Sequence, residues 1–180
     1  MKLPRTPSQT VGPFLSIAMG WPPDGPCVVP VGTPDAIWIR GRILDGAGAP
    51  VGDGLVETWQ PDADSRFATS AYGGFRGFGR AMTDADGVWA VHTVKPGRIA
   101  DAQGGLAAPY ISVAVFARGL LKHVWTRIYF ADEADANQAD RVLQSVDASR
   151  RGTLVAKPTT DGYRFDVRLQ GPDETVFLDV

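Results

Sequence analysis

The side chains that most often carry out chemistry are few in this sequence. Its two histidines, His92 and His123, and its single cysteine, Cys27, have no second candidate metal ligand or base close by in sequence. A lone histidine on a strand is more often a cross-strand or surface residue than a metal ligand. No nucleophile elbow, phosphate loop or H-E-x-x-H motif is present. We therefore expect structural roles for all three residues.

Two groups of carboxylates could also do chemistry. Glu57 lies in an apolar run, where a carboxylate is costly to bury unless it is paired. We expect an arginine of the preceding strand, such as Arg40 or Arg42, to pair with it, and a general base is the alternative. The run DADG at 84–87 is too short for a calcium-binding loop of the EF-hand type, so it predicts a β-turn.

Length and composition limit the kinds of protein that this can be. The chain has 180 residues, of which 44% are apolar and 21% charged, and a net charge of −2. These values are typical of one globular domain, and no basic run favours nucleic acid. No apolar stretch reaches the roughly 18 residues that would span a bilayer, and residues 2–8 lack a signal-peptide core. We expect a cytoplasmic protein that is not exported.

The chain divides into a proline-rich arm, residues 1–35, and a core, residues 36–180, which we interpret as parts of one domain. The arm contains eight of the 14 prolines, so it should be neither helix nor central strand. It also carries apolar side chains such as Phe14 and Trp21, which are too many for a free tail. We expect the arm to run extended over another surface, of this chain or of a partner.

The core predicts an all-β fold, an antiparallel β-sandwich with one short surface helix. The turn residues at 84–87 predict a hairpin of two strands, 81–83 and 88–94. Asp132 is the expected N-cap of a helix over 133–146, whose apolar stripe is thin. The other predicted strands are 37–44, 55–59, 110–116, 125–130, 163–169 and 175–178.

Several motifs, taken in order, resemble the intradiol ring-cleavage dioxygenases over nearly the whole chain. They are PSQTVGPF at 7–14, IRGRI at 39–43, VETWQ at 56–60, TDADG at 83–87, TVKPG at 93–97, TRIYFADE at 126–133 and YRFDVRLQG at 163–171. The resemblance implies cleavage of 3,4-dihydroxybenzoate between its hydroxylated carbons by O2. It also implies a hetero-oligomer built of α and β chains of the same fold.

Catalytic members of that family hold Fe(III) with two tyrosinates and two histidines, a set of ligands that suits ferric ion. The histidines normally form a His-x-His pair on a strand, but the matching strand here reads PYISV at 109–113. Residues 98–101, where a ligand tyrosine is expected, read RIAD, and only Tyr72 falls near the remaining tyrosine position. The resemblance therefore implies an α-type subunit that binds no metal, whose β partner binds the iron.

The resemblance also implies that five residues of this chain line the substrate pocket of the β partner. They are Thr10, Gly12, Pro13, Phe14 and Arg127. A threonine hydroxyl and an arginine can bind a benzoate carboxylate, glycine allows a close backbone approach, and phenylalanine packs on an aromatic ring. Without the family, Arg127 could equally be an outward residue of an edge strand. Phe14 stands where the family pattern has tyrosine.

Two alternatives stand beside this interpretation. One is a stand-alone β-sandwich binding module without catalytic activity, which would be a stable monomer. The other is a self-sufficient dioxygenase that uses Tyr72, Tyr110 and His92 as substitute ligands, although their spacing matches no recognisable ligand pattern.

Overall fold

The computed structural model describes residues 9–10, 24–68 and 74–179. In these ranges the chain forms nine strands, two short helices and one turn of 3-10 helix, Arg151–Leu154. The helices are α1 (Ala134–Ala139) and α2 (Arg141–Ser145). The strands are β1 (Ala36–Leu44), β2 (Leu55–Trp59), β3 (Phe78–Met82), β4 (Val88–Val94), β5 (Tyr110–Phe116), β6 (Val124–Phe130), β7 (Val155–Thr159), β8 (Gly162–Arg164) and β9 (Val167–Arg168).

The strands form two layers that β7 connects. One layer has the order β3-β2-β5-β6, and the other has the order β8-β1-β4 with β9 also paired to β1. Strand β7 pairs with β6 on one side and with β8 on the other. This confirms the predicted all-β sandwich. Most pairs are antiparallel, but β1–β8, β1–β9 and β6–β7 are parallel.

The main core lies between the layers. Apolar side chains alternate along the strands, so that every second residue points inwards, as the period of a β-strand requires. Each fully buried side chain of this kind contributes roughly 1.5–3 kcal/mol to folding. The cluster includes Ile39, Ile43, Trp89 and Val91 from one layer, and Val56, Ile111, Val113, Val115, Ile128 and Phe130 from the other.

The hairpin predicted around the turn at 84–87 is wrong. Strand β3 pairs with β2, whereas β4 pairs with β1 in the opposite layer. The turn itself forms, because Asp84 Oδ1 accepts hydrogen bonds from the backbone N–H groups of Asp86 and Val88 at 2.9 Å. The carbonyl of Gly87 then accepts from the N–H of Ile43, at 2.9 Å, which ties the turn to β1. The chain consequently crosses between layers instead of folding back within one.

The single helix predicted over 133–146 is two helices. Asp140 has extended backbone angles (φ −74°, ψ 119°) and its side chain accepts a hydrogen bond from the N–H of Leu143, so it caps α2. Asp132 is not an N-cap; it lies before α1 and binds Lys95 and Tyr163. An aspartate that caps a second helix ends the first one, which is why the predicted helix is broken.

The last predicted strands also differ from the structure. The segment 163–169 forms β8 and β9, which pair with successive parts of β1, and residues 175–178 make only an isolated bridge through Leu178. Strand β7 was not predicted, since Pro158 interrupts its pattern. Its N-terminal residues pair with β6 and its last three residues pair with β8 alone, so the missing N–H of proline is tolerated there.

Only residues 9–10 and 24–35 of the predicted arm are described. Val28 is fully buried and belongs to the main core, so the described end of the arm packs on the sandwich. The boundary between arm and core stays a prediction. Among the described residues, no helix has the length and apolar character that crossing a membrane requires.

Candidate functional site

Four side chains of β5 and β6 form a patch on the face of the sheet that points away from the main core. Tyr110 is paired with Tyr129, and Ser112 is paired with Arg127, in the antiparallel register of the two strands. The residues that alternate with them, Ile111 and Ile128, are buried between the layers. The patch therefore combines the strand that the resemblance matched to the histidine pair with the predicted substrate residue Arg127.

Arg127 is held by the ring of one tyrosine and the hydroxyl of another. Its guanidinium carbon lies 3.9 Å from the centroid of the Tyr110 ring, in cation–π contact, and its Nη1 donates to the hydroxyl of Tyr129 at 3.3 Å. No carboxylate of the described residues lies within ion-pair distance of this guanidinium. Its charge thus has no direct counter-ion in the part of the chain that the structure describes.

Tyr129 is fully buried, and its hydroxyl donates to Asp140 Oδ1 at 3.0 Å. Burial raises the pKa of this phenol well above its usual range; the Arg127 guanidinium opposes the shift, and the Asp140 carboxylate adds to it. Tyr129 therefore keeps its proton at neutral pH. It donates to the carboxylate and accepts from the guanidinium.

Asp140 is the buried anchor of the patch, with only 1% of its surface exposed. Besides Tyr129, its Oδ1 accepts from the N–H of Leu143 at 2.8 Å, and its Oδ2 accepts from the N–H of Ala108 at 2.9 Å. The carboxylate thus joins β6, the start of α2 and the segment before β5. Sequence reasoning missed it, although an aspartate inside a helix with a thin apolar stripe is a signal for an N-cap.

A groove of about 820 Å3 lies beside the loop between β5 and β6. Trp125 lines it and lies two residues before Arg127 on β6, and Gln9 borders it. The hydroxyl of Thr10 accepts a hydrogen bond from the N–H of Gly119 in that loop, at 3.2 Å. Thr10 is therefore at the loop end of the hairpin, whereas Arg127 lies three residues into β6, about 10 Å along the strand.

The other three predicted pocket residues, Gly12, Pro13 and Phe14, lie outside the described residues. The structure thus brings Thr10 to the same hairpin as Arg127. That all five residues form one pocket stays a prediction.

The two histidines and the cysteine have packing roles. His92, in β4, is 6% exposed; its Nδ1 lies 3.2 Å from the carbonyl of Val29, and its ring is 4.8 Å from that of Trp38. Cys27 makes a backbone bridge to the same histidine. The ring of His123 is 4.9 Å from Phe116 and 5.1 Å from Trp125, at the groove.

Glu57 has a partner, but not the one predicted. Arg80 lies directly opposite it on β3, and its Nε donates to Glu57 Oε1 at 2.8 Å. Arg40 instead binds Asp161, at 2.7 Å. The prediction was wrong because it assumed that consecutive strands pair, whereas β1 lies in the other layer.

The described residues do not fit a ferric ion. They contain no group of three or more histidine, cysteine, aspartate or glutamate side chains that could hold a metal. The phenol of Tyr129 is a poor tyrosinate because its pKa is raised, and a guanidinium covers the ring of Tyr110. His92 and Tyr110 lie in different layers, so they do not form the substitute site considered above. Tyr72 lies outside the described residues.

Comparison with known proteins agrees with the sandwich and with the sequence motifs. The model of a family described as Dioxygenase matches residues 25–171. The chain belongs to this family, and the resemblance to intradiol dioxygenases is confirmed.

Individual relatives give a narrower match than the family does. The chain is 45% identical to the protocatechuate 3,4-dioxygenase alpha chain of Burkholderia cepacia, over 99% of this chain and 98% of that one. It is 29% identical to the beta chain from the same organism, over 78% of this chain and 67% of that one. Among solved structures, it is similar to the dioxygenase domain of a dioxygenase carbohydrate-binding protein fusion from Streptomyces sp. SirexAA-E. That match has a TM-score of 0.61 and 25% identity, and covers 92% of this chain and 98% of that one.

Proposed function

We propose that this chain is the α subunit of a protocatechuate 3,4-dioxygenase and works in complex with a β subunit. The observation that carries the proposal is the 45% identity to an alpha chain over almost the full length of both proteins. The match to a beta chain is weaker and covers 67% of that chain. The two matches together support a pair of related chains in which this one takes the α position.

The proposed complex cleaves 3,4-dihydroxybenzoate between its two hydroxylated carbons and incorporates both atoms of O2, which gives 3-carboxy-cis,cis-muconate. The iron that this reaction requires belongs to the β subunit in our proposal. The misfit of Tyr110, Arg127 and Tyr129 to a ferric site supports that assignment. The cytoplasmic location predicted from the sequence is part of the same proposal, and cell fractionation would test it.

The part that we assign to this chain is to bind and orient the substrate at the β subunit's iron. Arg127 is partly buried and carries a charge without a carboxylate partner among the described residues. A charged hydrogen bond from such a group to the substrate carboxylate is worth on the order of 1.5–3 kcal/mol. Thr10, Gly12, Pro13 and Phe14 would complete the wall of the pocket, as the family resemblance implies.

Co-expression with a β subunit tests the proposal. We expect the two chains to co-purify through an affinity tag on either one and to elute together in size exclusion. The complex should contain iron and consume O2 when 3,4-dihydroxybenzoate is added. This chain alone should show neither iron nor O2 uptake. A stable monomer that ignores the β subunit would favour a stand-alone binding module, and iron with turnover in the isolated chain would favour a self-sufficient enzyme.

A further inference from the structure

We infer that Tyr129 and Asp140 are positioning residues, which hold the Arg127 guanidinium in the orientation that binds the carboxylate of the aromatic substrate. The inference rests on the proposed function, because it takes Arg127 to line the substrate pocket. It adds two residues that do not touch substrate and that neither the motifs nor the family resemblance assigned.

Two neighbouring tyrosines hold the guanidinium of Arg127 in place. An arginine side chain is long and has many rotamers, so a precise position has to be imposed by its neighbours. The ring of Tyr110 covers one face of the guanidinium, and the hydroxyl of Tyr129 takes an N–H at Nη1. A guanidinium has five N–H donors in a planar fork. The Tyr129 bond uses one of them and fixes the plane in which the others point.

The direction of the Tyr129 hydroxyl determines whether it can hold Arg127. A phenol can hold Arg127 only if its lone pairs, and not its proton, face the guanidinium. Donation of that proton to Asp140 Oδ1, at 3.0 Å, turns the lone pairs towards Nη1. Burial, which raises the pKa of the phenol, keeps the proton in place over the whole working range of pH. Asp140 thus determines how Tyr129 presents its oxygen.

The Tyr129 phenol separates the charges of Asp140 and Arg127. Asp140 accepts hydrogen bonds from Tyr129, Leu143 and Ala108, and it is almost completely buried, so it cannot turn away. The phenol stands between this anion and the guanidinium. The anion therefore attracts Arg127 without forming a direct ion pair, and the charge of Arg127 stays available for a ligand. Such an arrangement positions the cation without neutralising it.

Substitutions in the co-expressed complex test this inference. The variants are Tyr129→Phe, Arg127→Met and the double variant, and Tyr163→Phe is the matched control because Tyr163 also donates to an aspartate, Asp132. The measurements are kcat and KM for 3,4-dihydroxybenzoate and for catechol, which lacks the carboxylate. Thermal unfolding of each complex shows whether the variant is folded.

We expect Tyr129→Phe to lower kcat/KM for 3,4-dihydroxybenzoate about 5- to 10-fold, mainly through KM, and to leave catechol within about twofold. The relevant quantity is the ratio of kcat/KM for 3,4-dihydroxybenzoate to kcat/KM for catechol. Arg127→Met should lower this ratio more than Tyr129→Phe does. Addition of Tyr129→Phe to Arg127→Met should change that ratio no further, because Tyr129 acts through the arginine. Tyr163→Phe should not alter the ratio.

The outcomes that would overturn the inference are distinct from those that would overturn the proposed function. If Arg127→Met lowers the ratio and Tyr129→Phe does not, or if the two losses are additive, the positioning role is wrong and the proposed function stands. If Arg127→Met leaves the ratio unchanged, the pocket role of Arg127 fails, and the inference fails with it. Should Tyr129→Phe not assemble, Asp140→Asn gives the second test: the amide oxygen can still cap α2, but the anion and the acceptor for the Ala108 N–H are lost. It should lower the ratio, and an unchanged ratio would overturn the role of Asp140.

Discussion

Two networks of the same composition lie near the C-terminal end of β6, and each joins an aspartate, a tyrosine and a cation. In one, the Tyr129 hydroxyl stands between Asp140 and Arg127. In the other, Asp132 accepts directly from Lys95 Nζ at 2.8 Å and from the Tyr163 hydroxyl at 2.9 Å. Lys95 also pairs with Glu133, at 2.5 Å. One cation has no direct carboxylate partner among the described residues, and the other has two.

The two networks use the same chemical groups for different purposes. In the Lys95 network the ammonium charge is paired with carboxylates of the same chain. These ion pairs join the end of β4 to the segment that precedes α1. The Arg127 network places its anion one hydroxyl away, in a buried site, and leaves the guanidinium at a partly buried surface. We interpret the first as a structural clasp and the second as the part of the chain that recognises a carboxylate.

The largest difference between the two networks is expected when the cation of each is replaced by methionine. Arg127→Met should lower kcat/KM of the complex for 3,4-dihydroxybenzoate about 10- to 100-fold, because one charged hydrogen bond is lost, and should leave catechol almost unchanged. Lys95→Met removes the same charge elsewhere and should change neither substrate by more than about twofold. Steady-state oxygen uptake with the two substrates gives both values. If Arg127→Met lowered kcat/KM equally for catechol and for 3,4-dihydroxybenzoate, Arg127 would not recognise the carboxylate and the two networks would not differ in function.

Replacement of each aspartate by alanine shows how much each network contributes to the free energy of unfolding. Asp140→Ala leaves two backbone N–H groups and a phenol without their buried acceptor and should reduce the free energy of unfolding by about 3 kcal/mol. Asp132 has a side chain that is 49% exposed, so Asp132→Ala should cost about 1 kcal/mol or less. Urea unfolding of each complex measures the difference. A larger loss at Asp132 than at Asp140 would mean that burial does not separate the networks as described.

The smallest expected effect is the pH dependence of the stability that the Lys95 network provides. Burial raises the pKa of Asp132, but hydrogen bonds from Lys95 and Tyr163 outweigh burial, and the pKa lies below its usual value. Burial lowers the pKa of Lys95, and its bonds to Asp132 and Glu133 outweigh that shift and raise the pKa to about 12. Because the pKa of Asp132 is lower in the folded chain than in the unfolded chain, where it is about 3.9, the ionised carboxylate stabilises the fold at pH values above about 3.9. This stability is lost as the pH falls through the folded pKa.

The lysine works in the opposite sense. Because its folded pKa is raised, its contribution is complete below the unfolded pKa and is lost as the pH rises towards about 12. Unfolding free energies of wild type and Lys95→Met should therefore converge at both ends of the pH range and differ most near neutrality. A constant difference from acid to alkaline pH would show that the ion pairs do not stabilise the fold.

The sequence predicts those parts of the fold that depend on local pattern. The sequence predicts strands 55–59 and 110–116, and the structure has them with the same bounds. The turn at 84–87 was also predicted, since aspartate and glycine determine its geometry locally. Strand partners were not predicted in the same way, because pairing depends on distant residues; this is why the hairpin and the partner of Glu57 were wrong.

The candidate site likewise depends on contacts between residues that are distant in sequence. Arg127 could be singled out only through the family resemblance, since its own neighbours in sequence allow an outward position equally well. Tyr129 and Asp140 were missed because their contact needs the start of α2 to pack on β6. That packing is not visible in a run of neighbouring residues.

We propose that Arg127 meets the substrate carboxylate in a pocket whose iron belongs to the partner chain. A crystal structure of the complex with 3,4-dihydroxybenzoate bound measures this directly. We expect a guanidinium nitrogen at hydrogen-bond distance from a carboxylate oxygen, about 2.7–2.9 Å, with Tyr129 and Asp140 in the positions described above. A substrate whose carboxylate lies far from Arg127, or one that is bound entirely by the β subunit, would contradict it.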